Sequence, residues 1–432
     1  MNKKRIGMLM IGAILILSFA LVPFVACGPA APGGQPIKVG VAGPMMDDPG
    51  KLMLNAALLA AEDINSAGGV NVGGVKRPLQ VIKIDTNEMN SITDAVAAIE
   101  KAITVDKVNF LVGSYRSEAT LAYQDKAMEN KIIFIGAWSA SPAQNQRVKE
   151  NYNKYKYWFR THNNVVWGTP FFNKHAKYIA DILQKELGIQ ELKAVIVAEK
   201  AVYADPPVDA WTKALPGMGI KVMGTYRPSP VATDVTAELR AIKDSGAHIV
   251  MQMIGGPAGA VLGRQWGELQ IPCVLTGQNG PAQSKAIWEA TGGKAEYITT
   301  VSMSANAAAT PKTQPFFKKY VEKFKEFPGD SACTYDAILV YVNAVEKAGT
   351  LDSDALVPVI EKTDIIGVHS RLVFSGMDSP FPHDLPTIDQ GGYVNLPLVQ
   401  WIKGDQVCVW PTDWQGAKSF QIPPWMVKQY KK

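Results

Sequence analysis

IKVGVAGPMMDDPGKLMLNAALLAAEDIN, residues 37–65, opens with a short β-branched run, Ile37–Val41, and passes through a Gly/Pro/Asp loop into Leu52–Asn65. In Leu52–Asn65, Leu, Ala and Ile recur at helical spacing, and Gly68-Gly69 follows the end. A buried parallel strand is a nearly continuous apolar run, and an amphipathic helix carries its apolar residues with a 3.6-residue period. The stretch is therefore one strand-loop-helix unit. The unit recurs: Leu79–Ile84, Phe110–Val112 and Ile132–Ile135 are strand-like, and Ser91 with Asp94 three positions later marks the start of a helix over Ala95–Thr104. Four units in succession predict a doubly wound parallel sheet.

The second half repeats the pattern. Ala194–Ala198, Lys221–Tyr226, Ile249–Met253 and Cys273–Thr276 are strand-like, with helical Thr169–Leu187, Thr233–Ser245 and Pro257–Leu269 between them. Beyond Val301–Ala305 come helical Gln314–Phe324, Cys333–Ala348 and Asp354–Lys362, then a strand Arg371–Phe374. A hairpin follows, Pro397–Ile402/Gln406–Trp410, turning at Gly404-Asp405. The chain of 432 residues exceeds the ~250–300 residues at which one core stops growing. The expected fold class is α/β with two doubly wound parallel-sheet lobes, one interrupted by the other: residues 36–160 with 305–366, and 161–304 with 367–415. Residues 416–432 form a C-terminal tail.

The N-terminus has the layout of a secretory signal. Lys3, Lys4 and Arg5 precede an uncharged run, Ile6–Ala26, and Ala26-Cys27-Gly28 follows. A small residue before Cys at the end of such a run resembles the lipobox of bacterial lipoproteins, which implies a signal peptide over 1–26 and Cys27 as the lipid anchor. A retained transmembrane helix is the other reading of the same run. Residues 27–35 form a Pro/Gly-rich flexible tether, and no later segment is apolar enough to span a bilayer. The expected location is extracytoplasmic, periplasmic or on the outer face of the membrane.

The formal net charge of +5 falls to +2 without the three N-terminal cations, a balance that argues against a nucleic-acid or strongly acidic partner. Cys273, Cys333 and Cys408 are widely spaced and form no CxxC, so at most one intramolecular disulfide is available and no metal framework is indicated. The five histidines, 162, 175, 248, 369 and 383, form no HxH or HExxH grouping, and there is no GxSxG elbow, P-loop or post-strand GxGxxG. An enzyme is not expected, nor a cofactor or metal.

Several separate stretches carry a resemblance. They are Ile37–Pro44 (IKVGVAGP), Ala60–Asn65 with Gly68-Gly69-Val70, Thr233–Lys243 (TDVTAELRAIK) and Arg264–Leu269 (RQWGEL). Near the end come Tyr335-Asp336-Ala337, Ala344, Lys347–Thr350, Ala355-Leu356, Ile366-Gly367 and Phe374, in order over forty residues. In these the chain resembles the branched-chain-amino-acid-type family of periplasmic binding proteins from about Ile37 to about Pro411. The resemblance implies a type I binding fold of venus-flytrap form, with lobes joined by crossing hinge strands near Trp158–Thr161, Met303–Ala305 and Gly367–Phe374. It further implies capture of a small molecule, an ABC permease and its separate ATPase as partners, and attachment to the membrane by the N-terminal lipid. A ligand-sensing receptor domain of the same fold is the alternative.

In open α/β sheets ligands bind beyond the carboxyl ends of the strands. After Phe110–Val112 the sequence reads Ser114-Tyr115-Arg116-Ser117-Glu118 and opens a helix, whose free N–H groups and dipole favour an anion. Ser114 and Ser117 offer hydroxyls, with ordinary N-capping as the competing role, and Arg116 offers a guanidinium, with a surface pair to Glu118 as its alternative. The resemblance implies that this loop and the next, with Trp138, Ser139 and Ser141, hold a carboxylate. It also implies that Tyr203 stacks on or hydrogen-bonds to the ligand from the second lobe. Tyr115 and Trp138 add aromatic surface, core being the competing role for Trp138. Amino-acid binders of the family often place an acid after the strand corresponding to Cys273–Thr276. This chain has Gly277-Gln278-Asn279-Gly280 there, so Gln278 and Asn279 would supply amide contacts, and Glu199 or Asp47 a negative charge. The expected ligand is an amino acid or another small organic acid or amide.

Overall fold

The computed structural model describes residues 33–431; the expected signal peptide over 1–26 and the expected lipid anchor at Cys27 lie outside the described residues. The first lobe is built on a five-stranded parallel sheet. Its spatial order is Leu79–Asp85, Ile37–Gly43, Phe110–Gly113, Phe134–Gly136, Trp158–Arg160. In chain order this is 2-1-3-4-5, which places the topological switch between the first and third strands. Val39, Val41, Phe110, Val112, Phe134 and Ile135 are fully buried because helices cover both faces. Ser91 caps Ile92–Thr104 as its sequence signature requires, its hydroxyl accepting Asp94 N–H at 3.1 Å. The chain returns late to this lobe: Ala332–Ala348 lays Tyr341 on Phe110 with ring centroids 3.6 Å apart.

The second lobe has a four-stranded parallel sheet ordered Val274–Asn279, Ile249–Ile254, Leu192–Ala198, Ile220–Tyr226. This is the same winding with its switch between Leu192–Ala198 and Ile249–Ile254. A three-stranded antiparallel sheet, Thr299–Val301 with the hairpin Leu398–Ile402/Asp405–Trp410, completes it. The hairpin turns at Lys403-Gly404, both at positive φ, rather than at Gly404-Asp405, because Asp405 already pairs with Ile402. The tail packs on this lobe: the Trp425 ring lies 5.0 Å from that of Trp266, and its indole N–H donates to Ile271 O at 2.9 Å.

Three further expectations are corrected. The long helix starts at Val165, not Thr169, because Asn164 accepts Trp167 N–H at 2.9 Å and caps it, and Pro170 is carried inside. Residues 367–383 pack on the first lobe: Asp336 accepts Val368 N–H at 2.7 Å, and Asn145 donates to Pro382 O at 2.7 Å. The third crossing therefore runs through residues 384–397 rather than Gly367–Phe374. Gly34 and Gln35, expected in a flexible tether, are held on the first lobe: Gly34 N–H donates to Lys76 O at 3.0 Å and Arg77 Nε to Gln35 O at 2.6 Å. Cys273, Cys333 and Cys408 are all buried and free. Among the described residues no helix is long and apolar enough to cross a membrane.

Candidate ligand-binding cleft

The two switch points face each other. From the first lobe, the turn after Phe110–Gly113 needs Gly113, whose φ is +112° and whose Cβ, if present, would lie 2.2 Å from Ala42 O. Ser114 follows at φ +75°, an unfavourable angle for a residue with a side chain. The forced turn throws Tyr115, Arg116 and Ser117 toward the second lobe. From the opposite sheet, the loop after Leu192–Ala198 brings Glu199 and Tyr203, and the loop after Ile249–Ile254 brings Gly255.

The lobes are in contact. Tyr115 Oη donates to Gly255 O at 2.5 Å, Val202 N–H donates to Glu118 Oε1 at 2.9 Å, and Ser284 Oγ donates to Asp48 Oδ2 at 3.4 Å. They enclose a cavity of about 40 Å³ whose aromatic walls are Tyr115, Trp138 and Tyr203. Tyr115 and Trp138 have ring centroids 5.8 Å apart. The charged lining is Arg116, Glu118, Glu199 and Asp330, three carboxylates to one guanidinium. Arg116 Nε sits 3.5 Å from Glu118 Oε2, so the pair foreseen as a surface alternative lies within the cleft wall.

Burial raises the Glu199 carboxyl above its ordinary range, opposed by a hydrogen bond from Gly256 N–H and by the Arg116 charge. Burial, then the Glu199 charge, holds the Tyr203 and Tyr115 phenols well above the usual value. The Trp138 indole N–H has no protein partner, while the Tyr203 hydroxyl faces the Glu199 carboxyl. An unpaired buried polar group costs about 1–3 kcal/mol, and a ligand acceptor would relieve the Trp138 N–H.

Of the residues expected at the site, the structure brings Arg116, Ser117, Trp138, Tyr203 and Gln278 to the cavity wall. Ser139 lies behind Ser117, the two hydroxyls 3.2 Å apart, with the Gln144 amide donating to Ser139. Ser141 acts as a local cap, its hydroxyl accepting Ala143 N–H at 3.3 Å. The Ser114 hydroxyl is buried and unpartnered but does not line the cavity. Asn279 is turned into its own lobe: its amide donates to Gln252 Oε1 and Gly259 O, both at 3.1 Å, and accepts Ala282 N–H at 3.2 Å. Its side chain is used up in holding the loop.

Two carboxylates were not singled out by the sequence. Asp330 accepts Met303 N–H at 2.8 Å and Gln283 Nε2 at 2.9 Å, with His162 Nε2 at 3.4 Å, so it joins two hinge segments while lining the cavity. Glu88 is buried under the Tyr115–Ser117 loop, accepting Arg116 N–H and the Tyr123 hydroxyl, both at 3.1 Å. Burial raises its carboxyl to about 7.

A sequence profile described as "Periplasmic binding protein" matches residues 36–388. An "Amino acid binding protein" of Pseudomonas aeruginosa is 27% identical over 330 residues, 73% of this chain and 80% of that protein. Among solved structures, a solute binding protein of an ABC transporter from Rhodopseudomonas palustris, in complex with 3,4-dihydroxy benzoic acid, superposes with TM-score 0.70 at 17% identity, covering 90% of this chain and 99% of that one. A branched-chain amino acid transporter substrate binding protein from Streptococcus pneumoniae, in complex with isoleucine, gives TM-score 0.68 at 18% identity, covering 86% and 97%.

Proposed function

The chain belongs to the periplasmic binding protein family, extracytoplasmic proteins that bind solutes rather than transform them, and we propose that it is the substrate-binding component of an ABC importer for an amino acid or a related small carboxylate or amide. The observation that carries this reading is the facing of Arg116 and Ser117 on one lobe by Glu199 and Tyr203 on the other across one enclosed cavity. In the open form each half is exposed to solvent. Closure joins Tyr115 to Gly255 and Glu118 to Val202, and the ligand is held by differential contacts that exist only between closed lobes.

A ligand carboxylate would meet the first N–H groups of Ser117–Glu129, the Ser117 hydroxyl and the Arg116 guanidinium. An amine would face Glu199 and Asp330, which take the part of the acid absent from Gly277–Gly280, with Tyr115, Trp138 and Tyr203 presenting aromatic faces to it. A permease would read the closed shape and a separate ATPase would supply the energy. The Ala26-Cys27 junction supports a lipid anchor at Cys27.

Calorimetric titration with L-amino acids tests the site. Ser117→Ala and Glu199→Gln each remove one hydrogen bond to a charged group and are expected to weaken binding by ~1.5–3 kcal/mol. Unchanged affinity in both variants would contradict this placement of the ligand.

A further inference from the structure

A second cavity, of about 260 Å³, lies on the outer side of Tyr115. It shares Tyr115 and Gly255 with the inner one, so the two compartments of one cleft border each other at these residues, and a ligand that spans both displaces the Tyr115–Gly255 hydrogen bond. The inner compartment, about 40 Å³, is small beside an apolar cavity of about 150 Å³ that takes up benzene, and it suits a polar head group rather than a whole elongated ligand. With the lobes in contact, room for the rest of a ligand is on the outer side.

The outer walls have a defined chemistry. Met46 and Met89 from the first lobe face Pro257, Ala260 and Pro281 from the second, an apolar lining with adaptable thioethers. Met46 is 75% exposed, so its flexible thioether is free to adjust against a ligand. One side of this lining is acidic. Asp47 stands at the N-cap of the helix Asp48–Ser66 but its carboxylate makes no capping bond, and it lines the cavity together with Asp48. Burial, with the Asp48 and Asp85 charges, raises the Asp47 carboxyl, and the facing cation is Lys51, which lies 3.7 Å from Asp48. A carboxylate that forgoes its cap and faces a partly enclosed apolar cavity is placed to meet a cation from outside the chain.

We propose that the cleft is bipartite and takes an elongated amino acid, its head group in the inner compartment and its side chain passing Tyr115 along Met46 and Met89 to end in a cation at Asp47. This rests on the inner site being an amino-acid site. L-Arginine and L-leucine share the head group and differ in reach and terminal charge, so they separate the two claims.

Calorimetric titration of the full chain with each is expected to give at least tenfold tighter binding of L-arginine. Asp47→Asn is expected to lower affinity for L-arginine at least tenfold more than affinity for L-leucine. Equal affinities for the two amino acids, or an Asp47→Asn variant that keeps the wild-type preference, would overturn the bipartite cleft and leave the inner site standing. Binding of neither amino acid would overturn both.

Discussion

Two buried charged groups hold the cleft loops, and each makes a prediction. Arg160, at the end of the last strand of the first sheet, is fully buried with Asp384, Nε to Oδ1 at 3.0 Å. Its remaining donors bind Ser139 O, Ser141 O and Gln144 Oε1 at 3.1, 2.8 and 2.9 Å, so this one side chain fixes the second cleft loop to the third hinge crossing. Removing one partner leaves an uncompensated buried charge, whereas replacing both by apolar groups does not. Asp384→Leu is expected to cost ~3–5 kcal/mol in denaturant unfolding, and the double variant with Arg160→Met less than that. A double variant as unstable as the single one would contradict the pairing. Glu88 carries the pH prediction. Its folded-state value of about 7 lies above the ordinary 4.5, so its protonated form is favoured by folding. That contribution is full below about 4.5 and is lost as pH rises through about 7. Each tenfold change in proton affinity is worth ~1.4 kcal/mol. Glu88→Gln, which stays neutral at every pH, therefore gains on the order of 3 kcal/mol over the wild type at pH 8, and little at pH 4.5. Melting temperatures at the two pH values check this; an equal effect at both would refute it. Neither residue could be picked from the sequence, because Glu88 sits in a polar turn and Arg160 in a short strand, and their burial comes from segments far along the chain.

At the scale of elements, the strands were legible because each is a continuous apolar run: eight of the nine in the two parallel sheets were identified, seven of them within two residues at either end, while Cys273–Thr276 stops three residues short of the observed end at Asn279; most helices followed from their periodicity and caps. The helix Asp205–Gly217 was not foreseen. Its Pro206-Pro207 and Pro216 suggest a loop, yet the first two stand in the opening turn, where a missing N–H costs nothing. The cleft turns were legible as hydroxyl-rich loops after strands, but the orientation of their side chains was not: Asn279 and Ser141 have the right chemistry in the right loops and spend it within their own lobe. The turn at Gly113 is a backbone requirement, unlike the helix end at Gly188, which has φ +67° but nothing within 4 Å of an added Cβ. Gly113→Ala is therefore expected to cost clearly more than the ~1 kcal/mol expected for Gly188→Ala. Denaturant midpoints at unchanged slope measure both; equal losses would show that Ala42 O yields to the added methyl.

For the whole molecule, the winding of two similar sheets brings two switch points face to face. The sequence indicated two lobes from length and from the repeated pattern, while the crossings came only as what the family resemblance implies. It placed the third too early, since Gly367–Phe374 reads as a strand leaving the lobe but is held on it through Asp336. Where two lobes meet depends on pairs such as Tyr115–Gly255 and Glu118–Val202, contacts between residues more than eighty positions apart that no local pattern encodes. The central claim is that this closed cleft holds an amino acid. A thermal-shift screen of the chain without residues 1–35 against amino acids, amides, aliphatic acids and aromatic acids tests it most directly, since a ligand at 100 times its Kd adds ~2.7 kcal/mol. A rise in Tm with one or more amino acids, reduced in Glu199→Gln, is the expected result; a rise with amides, aliphatic acids or aromatic acids alone would contradict an amino-acid ligand, and no rise with any of the four classes would contradict this cleft as the binding site.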